Sequence, residues 1–138
     1  MDIQEQERIA VAYIHSIGTG GPDRSWLAED FTAWSSISGL MQADEYLPKL
    51  PIVKAIFTSP LTMTIDRLTS QPGRTAIQCR STGTLFNGSV YSNDYHMLVE
   101  FDDRGRIRHV REYMDSKRAL EILMPAFREW LARAPAAA

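Results

Sequence analysis

The chain has 138 residues, of which 44% are hydrophobic and 23% charged, as expected for a single soluble globular domain. The formal net charge of −2 speaks against a nucleic-acid partner, which would favour a basic surface. No apolar run approaches the roughly 20 residues of a membrane span, and the polar N-terminus MDIQEQERIA is unlike a secretory signal, so we expect a cytoplasmic protein without membrane contact.

The first part of the chain is predicted to be mainly helical. Apolar residues at helical spacing predict a helix over residues 3–17, which the glycine-rich segment 18–21 ends. A second short helix is expected over residues 23–27, and a first strand over residues 31–36.

The segment that follows the first strand predicts a broken helix. Residues 42–57 have a helical pattern, but Pro48 and Pro51 interrupt it. We therefore expect a broken helix, with Pro51 near a first turn.

The second half of the chain predicts four strands in succession, because alternating apolar residues are separated by short turn signals. Asn87-Gly88 is the dipeptide that a tight type I′ turn favours, since both central residues need positive φ. The predicted strands span residues 61–69, 75–86, 90–101 and 107–114.

A final helix is predicted after the last strand, capped by Asp115 or Ser116. Its apolar stripe would be formed by Ala119, Leu120, Leu123, Phe127 and Leu131. The order of elements predicts an α+β fold with an antiparallel sheet, because short turns join the consecutive strands. One domain should cover residues 1–133, followed by a disordered tail, residues 134–138.

The order of elements and three segments of the chain resemble the nuclear transport factor 2-like superfamily, in particular SnoaL-like polyketide cyclases, ketosteroid isomerases and limonene epoxide hydrolases. The segments are Ala28-Glu29-Asp30, Gly88 to Tyr95, and Gly105 to Asp115. The resemblance implies a cone-shaped fold, in which a curved antiparallel sheet wraps around the N-terminal helices beside a C-terminal helix. It also implies a deep apolar pocket and a homodimer formed through the outer sheet face.

The functional positions of two of these families are only partly kept. The oxyanion-binding tyrosine of the isomerases falls at Tyr13, but their catalytic aspartate falls near Ser35 or Ser36 and their buried acid at Met97. Ketosteroid isomerisation as such is therefore not expected. The charged set of the epoxide hydrolases falls at Gln78, Arg80 and Glu112, where only the last position keeps its carboxylate.

The resemblance and the alternation of the strands together predict one concave face that carries polar groups among apolar ones. We expect Glu112 on this face to transfer a proton as a general acid or base, with Arg80 orienting or polarising the ligand. The alternative is that Glu112 and Arg80 form a structural ion pair. The face would present Gln78, Arg80, Thr82, Asn93, Tyr95, Met97, Val110, Glu112 and Met114.

Aromatic and amide side chains are the candidates for holding ligand oxygens. We expect Asn93 and Tyr95 to line the pocket, and Tyr13 either to do so or to be a core tyrosine. Trp34 is either an aromatic wall of the pocket or faces away from it, because a bulge in its strand would change its side. Asp94 and His96 fall on the outer face.

The predicted function is cofactor-independent general acid/base catalysis on an apolar cyclic small molecule, by an isomerase, a cyclase, or a hydratase of the epoxide hydrolase type. No His, Cys or carboxylate spacing predicts a metal site, and no organic cofactor is expected. The alternative is a non-catalytic module that binds a small ligand or mediates dimerisation. A third option is a subunit that supports a larger oxygenase.

Overall fold

The computed structural model describes residues 1–133. The tail that the sequence predicts to be disordered, residues 134–138, lies outside these described residues. None of the helices within residues 1–133 has the length and hydropathy that a membrane span requires.

The first helix, α1 (Ile3–Ser16), begins at Asp2, whose carboxylate accepts a hydrogen bond of 2.7 Å from the backbone amide of Glu5. The predicted helix is confirmed, and its apolar stripe is buried. A 3₁₀ turn (Ile17–Thr19) continues it to Gly20, whose φ of 108° ends the helical conformation. This places the Tyr13 side of α1 against the sheet.

Strand β1 (Leu27–Ser35) follows a 3₁₀ turn (Arg24–Trp26), which occupies the position of the predicted second helix. A short strand that the sequence analysis missed, β2 (Gly39–Gln42), pairs antiparallel with β1. With only four residues, β2 is too short to produce a clear alternating pattern.

The predicted broken helix is confirmed as α2 (Ala43–Tyr46) and α3 (Lys49–Ala55). Pro48 caps α3, and Pro51 lies in its first turn, where a missing backbone N–H removes no helical hydrogen bond. These two helices pack over the concave side of the sheet and supply one wall of the cavity described below.

The four predicted strands of the meander are confirmed, and β2 and β1 extend them into a curved six-stranded sheet of order β2-β1-β6-β5-β4-β3. One feature of the predicted sheet is wrong: β1 pairs parallel with β6, so the sheet is mixed. These two strands are far apart in the chain and no hairpin joins them, so turn signals carry no information on their direction. The meander strands are β3 (Phe57–Gln71), β4 (Arg74–Leu85), β5 (Val90–Phe101) and β6 (Ile107–Met114).

The facing of β4 differs from the prediction. Cys79 lies opposite Tyr95 in β5, and directly opposed residues of an antiparallel pair share a face. The odd-numbered residues of β4 are therefore buried on the concave side, whereas Gln78 and Arg80 are exposed on the outer side. The predicted inward facing of Gln78, Arg80 and Thr82 is wrong.

The C-terminal segment begins at Asp115, whose carboxylate accepts hydrogen bonds from the next turn, so the predicted cap is confirmed. The segment is not one regular helix but α4 (Ser116–Arg118), a π turn (Ala119–Leu123) and α5 (Met124–Arg133). The wider π turn shifts the helical register. Leu120 and Leu131, predicted in the apolar stripe, are consequently 53% and 48% exposed.

Asn93 ties the sheet to this C-terminal segment. Its amide nitrogen donates to the Tyr91 hydroxyl at 2.7 Å and to the carbonyl oxygen of Asp115 at 3.0 Å. Its amide oxygen accepts from the backbone amides of Asp94 at 2.8 Å and Asp115 at 3.1 Å. With 1% of its surface exposed, Asn93 has all its hydrogen-bonding capacity used within the protein. It holds the start of the segment that covers the cavity.

We expect Asn93→Leu to lower the free energy of unfolding by about 3 kcal/mol, because it leaves buried donors and acceptors without partners. Urea denaturation monitored by circular dichroism measures this loss. Ser92→Ala, a change at the preceding position on the opposite face, is the control; it removes one exposed hydroxyl pair with Thr82 and should cost about 1 kcal/mol or less. Equal stability of Asn93→Leu and the wild type would contradict the role given to Asn93.

Candidate functional site

A cavity of about 150 Å³ lies between the concave face of the sheet, the helices α2 and α3, and the C-terminal segment. Its walls are mainly apolar, and among residues 1–133 one acidic and one basic side chain line it, those of Glu112 and Lys49. A concave, mainly apolar surface with few polar groups is typical of a small-molecule site. The apolar walls include Met41, Leu50, Val53, Leu61, Leu123 and Phe127.

Glu112 is the acidic group of this cavity. It lies in β6 between Ser35 of β1 and Met97 of β5. The residue is half-buried, and its exposed part borders the cavity. Burial raises the pKa of Glu112 to about 7, because the carboxylate loses much of its hydration. Within residues 1–133 no salt bridge or side-chain hydrogen bond opposes this shift.

The predicted partnership of Glu112 with Arg80 is wrong, whether as a catalytic pair or as a structural ion pair. The Arg80 guanidinium lies on the outer face of the sheet, where its Nε is 3.0 Å from a carboxylate oxygen of Asp66. Gln78 is exposed on the same face. Neither residue lines the cavity.

Three tyrosines share the cavity with the carboxyl group. Tyr46, Tyr91 and Tyr95 line the cavity. The Tyr95 hydroxyl lies 2.8 Å from that of Ser81, and the Tyr46 hydroxyl lies 3.0 Å from that of Tyr13. Burial raises the pKa of each of these tyrosines, and the nearby charge of Glu112 adds to the effect. All of them are therefore neutral hydrogen-bonding groups at neutral pH.

Five of the predicted site residues line the cavity, namely Trp34, Tyr95, Val110, Glu112 and Met114. The Trp34 ring stacks with Tyr113 at 4.9 Å and lies beneath the Arg111 guanidinium at 4.1 Å. Because Tyr113 is exposed on the outer face of the sheet, the Trp34 ring packs on that side, while the residue also borders the cavity.

Three other predicted site residues are buried without lining the cavity. Tyr13 lies behind Tyr46, Asn93 is saturated by protein partners, and Met97 is enclosed in the core. Alternation predicted the correct face for Asn93 and Met97. Whether a side chain on that face reaches the cavity depends on its position along the strand. The prediction that Asn93 and Met97 line the cavity is therefore wrong, and Tyr13 is the core tyrosine of the stated alternative.

Tyr46 is one of the lining residues that the sequence did not predict. It lies in the four-residue helix α2, which is too short for a periodic pattern. Its position depends on how α2 packs over the sheet, which no local sequence signal encodes. No group of His, Cys, Asp or Glu side chains within the described part of the chain is arranged to hold a metal ion.

The raised pKa of Glu112 predicts a pH-dependent stability. The folded protein binds the proton more tightly than the unfolded chain, so stability is lost as the pH rises from about 4.5 to about 7. Glutamine does not titrate, so replacing Glu112 by glutamine removes this loss of stability. The pKa shift of Glu112 corresponds to about 3 kcal/mol of unfolding free energy. We therefore expect the free energy of unfolding of Glu112→Gln, measured relative to that of the wild type, to be higher at pH 8 than at pH 5.

Urea denaturation of both proteins at the two pH values measures this gain, since contributions from other titrating groups cancel in the comparison. Glu121→Gln is the control, because Glu121 is exposed. Its stability difference from the wild type should stay within about 0.5 kcal/mol. A parallel pH dependence for Glu112→Gln and the wild type would contradict the burial of an unpartnered carboxyl group.

Comparison with known proteins supports the fold. No family model and no curated protein matches the chain. Similar solved structures include the BvnE pinacolase of Penicillium brevicompactum (TM-score 0.76, 15% identity, 96% of this chain and 94% of that one). A provisionally assigned SnoaL-like polyketide cyclase from Jannaschia sp. CCS1 has a TM-score of 0.72 at 11% identity, over 85% and 90% of the two chains. An NTF2-like protein of Anabaena variabilis ATCC 29413 has a TM-score of 0.68 at 20% identity, over 83% and 93%. The chain thus has the nuclear transport factor 2-like fold, as its sequence predicted.

Proposed function

We propose that this protein is a general acid/base enzyme that acts on an apolar cyclic small molecule, with Glu112 as the group that transfers the proton. One observation carries the proposal: a carboxyl group with a pKa of about 7 borders a mainly apolar cavity and has no charged partner within residues 1–133. Near neutral pH both protonation states of such a group are populated. A group of this kind accelerates proton transfer by about 10²–10⁴.

The rest of the cavity fits this chemistry. The mainly apolar wall favours an apolar ligand, and Val110 and Met114 lie on the same strand as Glu112, two residues away on either side. Tyr95 adds a neutral hydroxyl. The proposed step requires a proton donor and acceptor, which one carboxyl group supplies, and it calls on no cofactor.

The similar structures support an enzymatic role. Their names include a pinacolase and a polyketide cyclase, so the fold is shared with proteins named for small-molecule chemistry. Isomerisation, cyclisation and hydration are the reaction types that we propose for this chain. The alternative is a binding module that uses the same cavity without turnover.

The test is turnover by Glu112→Gln against a panel of cyclic ketones, epoxides and open-chain polyketide mimics. Incorporation of deuterium from heavy water, read by mass spectrometry, detects proton transfer even when no net product forms. For any probe turned over by the wild type, we expect kcat to fall at least about 100-fold. The wild-type pH–rate profile should show an inflection near pH 7, rising with pH if Glu112 acts as a base and falling if it acts as an acid.

Glu121→Gln serves as the control and should keep the wild-type rate, because Glu121 is exposed and does not line the cavity. Full turnover by a folded Glu112→Gln variant would overturn the assignment. Probes that stabilise the wild type against heat without any turnover or deuterium incorporation would favour the binding module instead.

We further propose a homodimer formed through the outer sheet face. Tyr113 and Leu40, which are 48% and 60% exposed, lie there beside the Trp34 ring. Apolar side chains grouped in this way are typical of an interaction surface.

Sedimentation equilibrium tests the dimer. We expect Leu40→Glu to shift the protein from dimer to monomer, because a buried interface disfavours an unpaired charge. Leu131→Glu is the control, since Leu131 is 48% exposed on α5 and away from the sheet. A monomeric wild type at micromolar concentrations would contradict the proposal.

A further inference from the structure

The cavity wall contains a pair of tyrosines whose hydroxyls meet. Tyr46 at the end of α2 borders the cavity, and Tyr13 of α1 lies behind it, with the two hydroxyl oxygens 3.0 Å apart. Phe31 packs against both rings, at centroid distances of 6.3 and 6.1 Å. This aromatic packing limits the freedom of both hydroxyls.

Burial determines the direction of the hydrogen bond between them. Tyr13 is 0% exposed, and the Tyr46 oxygen is the partner of its hydroxyl within the described residues. A buried hydroxyl that leaves its proton without a partner costs free energy, so Tyr13 donates and Tyr46 accepts. The proton of Tyr46 is then free to point into the cavity.

The other tyrosines of the cavity are less available. Tyr91 is 0% exposed and its oxygen accepts a hydrogen bond from Asn93. Tyr95 is 8% exposed and its hydroxyl is paired with that of Ser81. Tyr46 is more exposed than either of them and also has the free proton.

We infer that the Tyr46 hydroxyl donates a hydrogen bond to an acceptor oxygen of the ligand, and that Tyr13 is the positioning residue that directs it. The ligand class is thereby narrowed to apolar ring compounds that carry a carbonyl or similar acceptor oxygen. This inference rests on the proposed function for its ligand site, but the hydrogen bond itself requires no proton transfer by Glu112.

The test uses two probes of similar size, 1-tetralone, which has a carbonyl oxygen, and tetralin, which has none. Affinity is measured by isothermal titration calorimetry for the wild type and four variants. A second readout is the chemical shift of the carbon-13-labelled carbonyl carbon of bound 1-tetralone, which moves downfield when its oxygen accepts a hydrogen bond. The variants are Tyr46→Phe, Tyr13→Phe, Tyr113→Phe and Glu112→Gln.

The wild type should bind 1-tetralone more tightly than tetralin and shift the carbonyl signal downfield. We expect Tyr46→Phe to weaken 1-tetralone binding about tenfold and to abolish the shift, while tetralin binding is unchanged. Retained tetralin binding shows that the cavity is intact. Tyr13→Phe should reduce the downfield shift and weaken 1-tetralone binding by about threefold, which a purely structural tyrosine would not do selectively.

Tyr113→Phe is the matched control, because its ring lies on the outer face and should alter neither readout. Glu112→Gln should keep both the preference for 1-tetralone and the shift, which separates this inference from the proposed proton transfer. Equal affinity of the wild type for the two probes would overturn the inference. The inference would also be overturned if the downfield displacement of the carbonyl signal persisted in Tyr46→Phe, or if that variant lost affinity equally for both probes.

Discussion

Parallel pairing of β1 with β6 is the constraint on which the cavity depends. It attaches the strand that follows α1 to the far end of the meander, with Ala33 opposite Val110 and Ser35 opposite Glu112. Because β2 continues from β1, the helices α2 and α3 that come next are carried over the concave side of the sheet. Without this pairing β6 would be an edge strand, and Glu112 would be hydrated like any surface carboxylate.

Two polar residues on the concave face differ in their hydrogen bonding, and this difference distinguishes a structural group from a candidate catalytic one. Asn93 makes four hydrogen bonds to protein partners, and these fasten the C-terminal segment to the sheet. Glu112 borders the cavity, and within residues 1–133 no such bonds offset its loss of hydration. A buried polar group that is fully bonded stabilises one arrangement, whereas one without partners retains its capacity for a ligand. The same apolar walls that accommodate a ligand therefore also raise the pKa of Glu112.

The sequence predicted most elements, since alternation, helical spacing and turn residues are local signals. Its main error concerned β4. The buried set there includes Ile77 and Cys79, whose apolar character favoured the odd-numbered face, whereas the resemblance to the epoxide hydrolases, taken together with alternation, placed Gln78 and Arg80 inward. Local alternation was the better guide, because a shift of one residue moves every side chain of a strand to the other face.

The sequence by itself determined the α+β class, the meander, the broken helix at its two prolines, and the inward facing of Glu112. Only the tertiary structure decided the parallel β1–β6 pair, the depth of Asn93 and Met97 behind the cavity, and the meeting of Tyr13 with Tyr46. The physical reason is the sequence separation over which each interaction acts. Backbone preferences and side-chain periodicity act over a few neighbouring residues, whereas a cavity is the space left when elements far apart in the chain pack together.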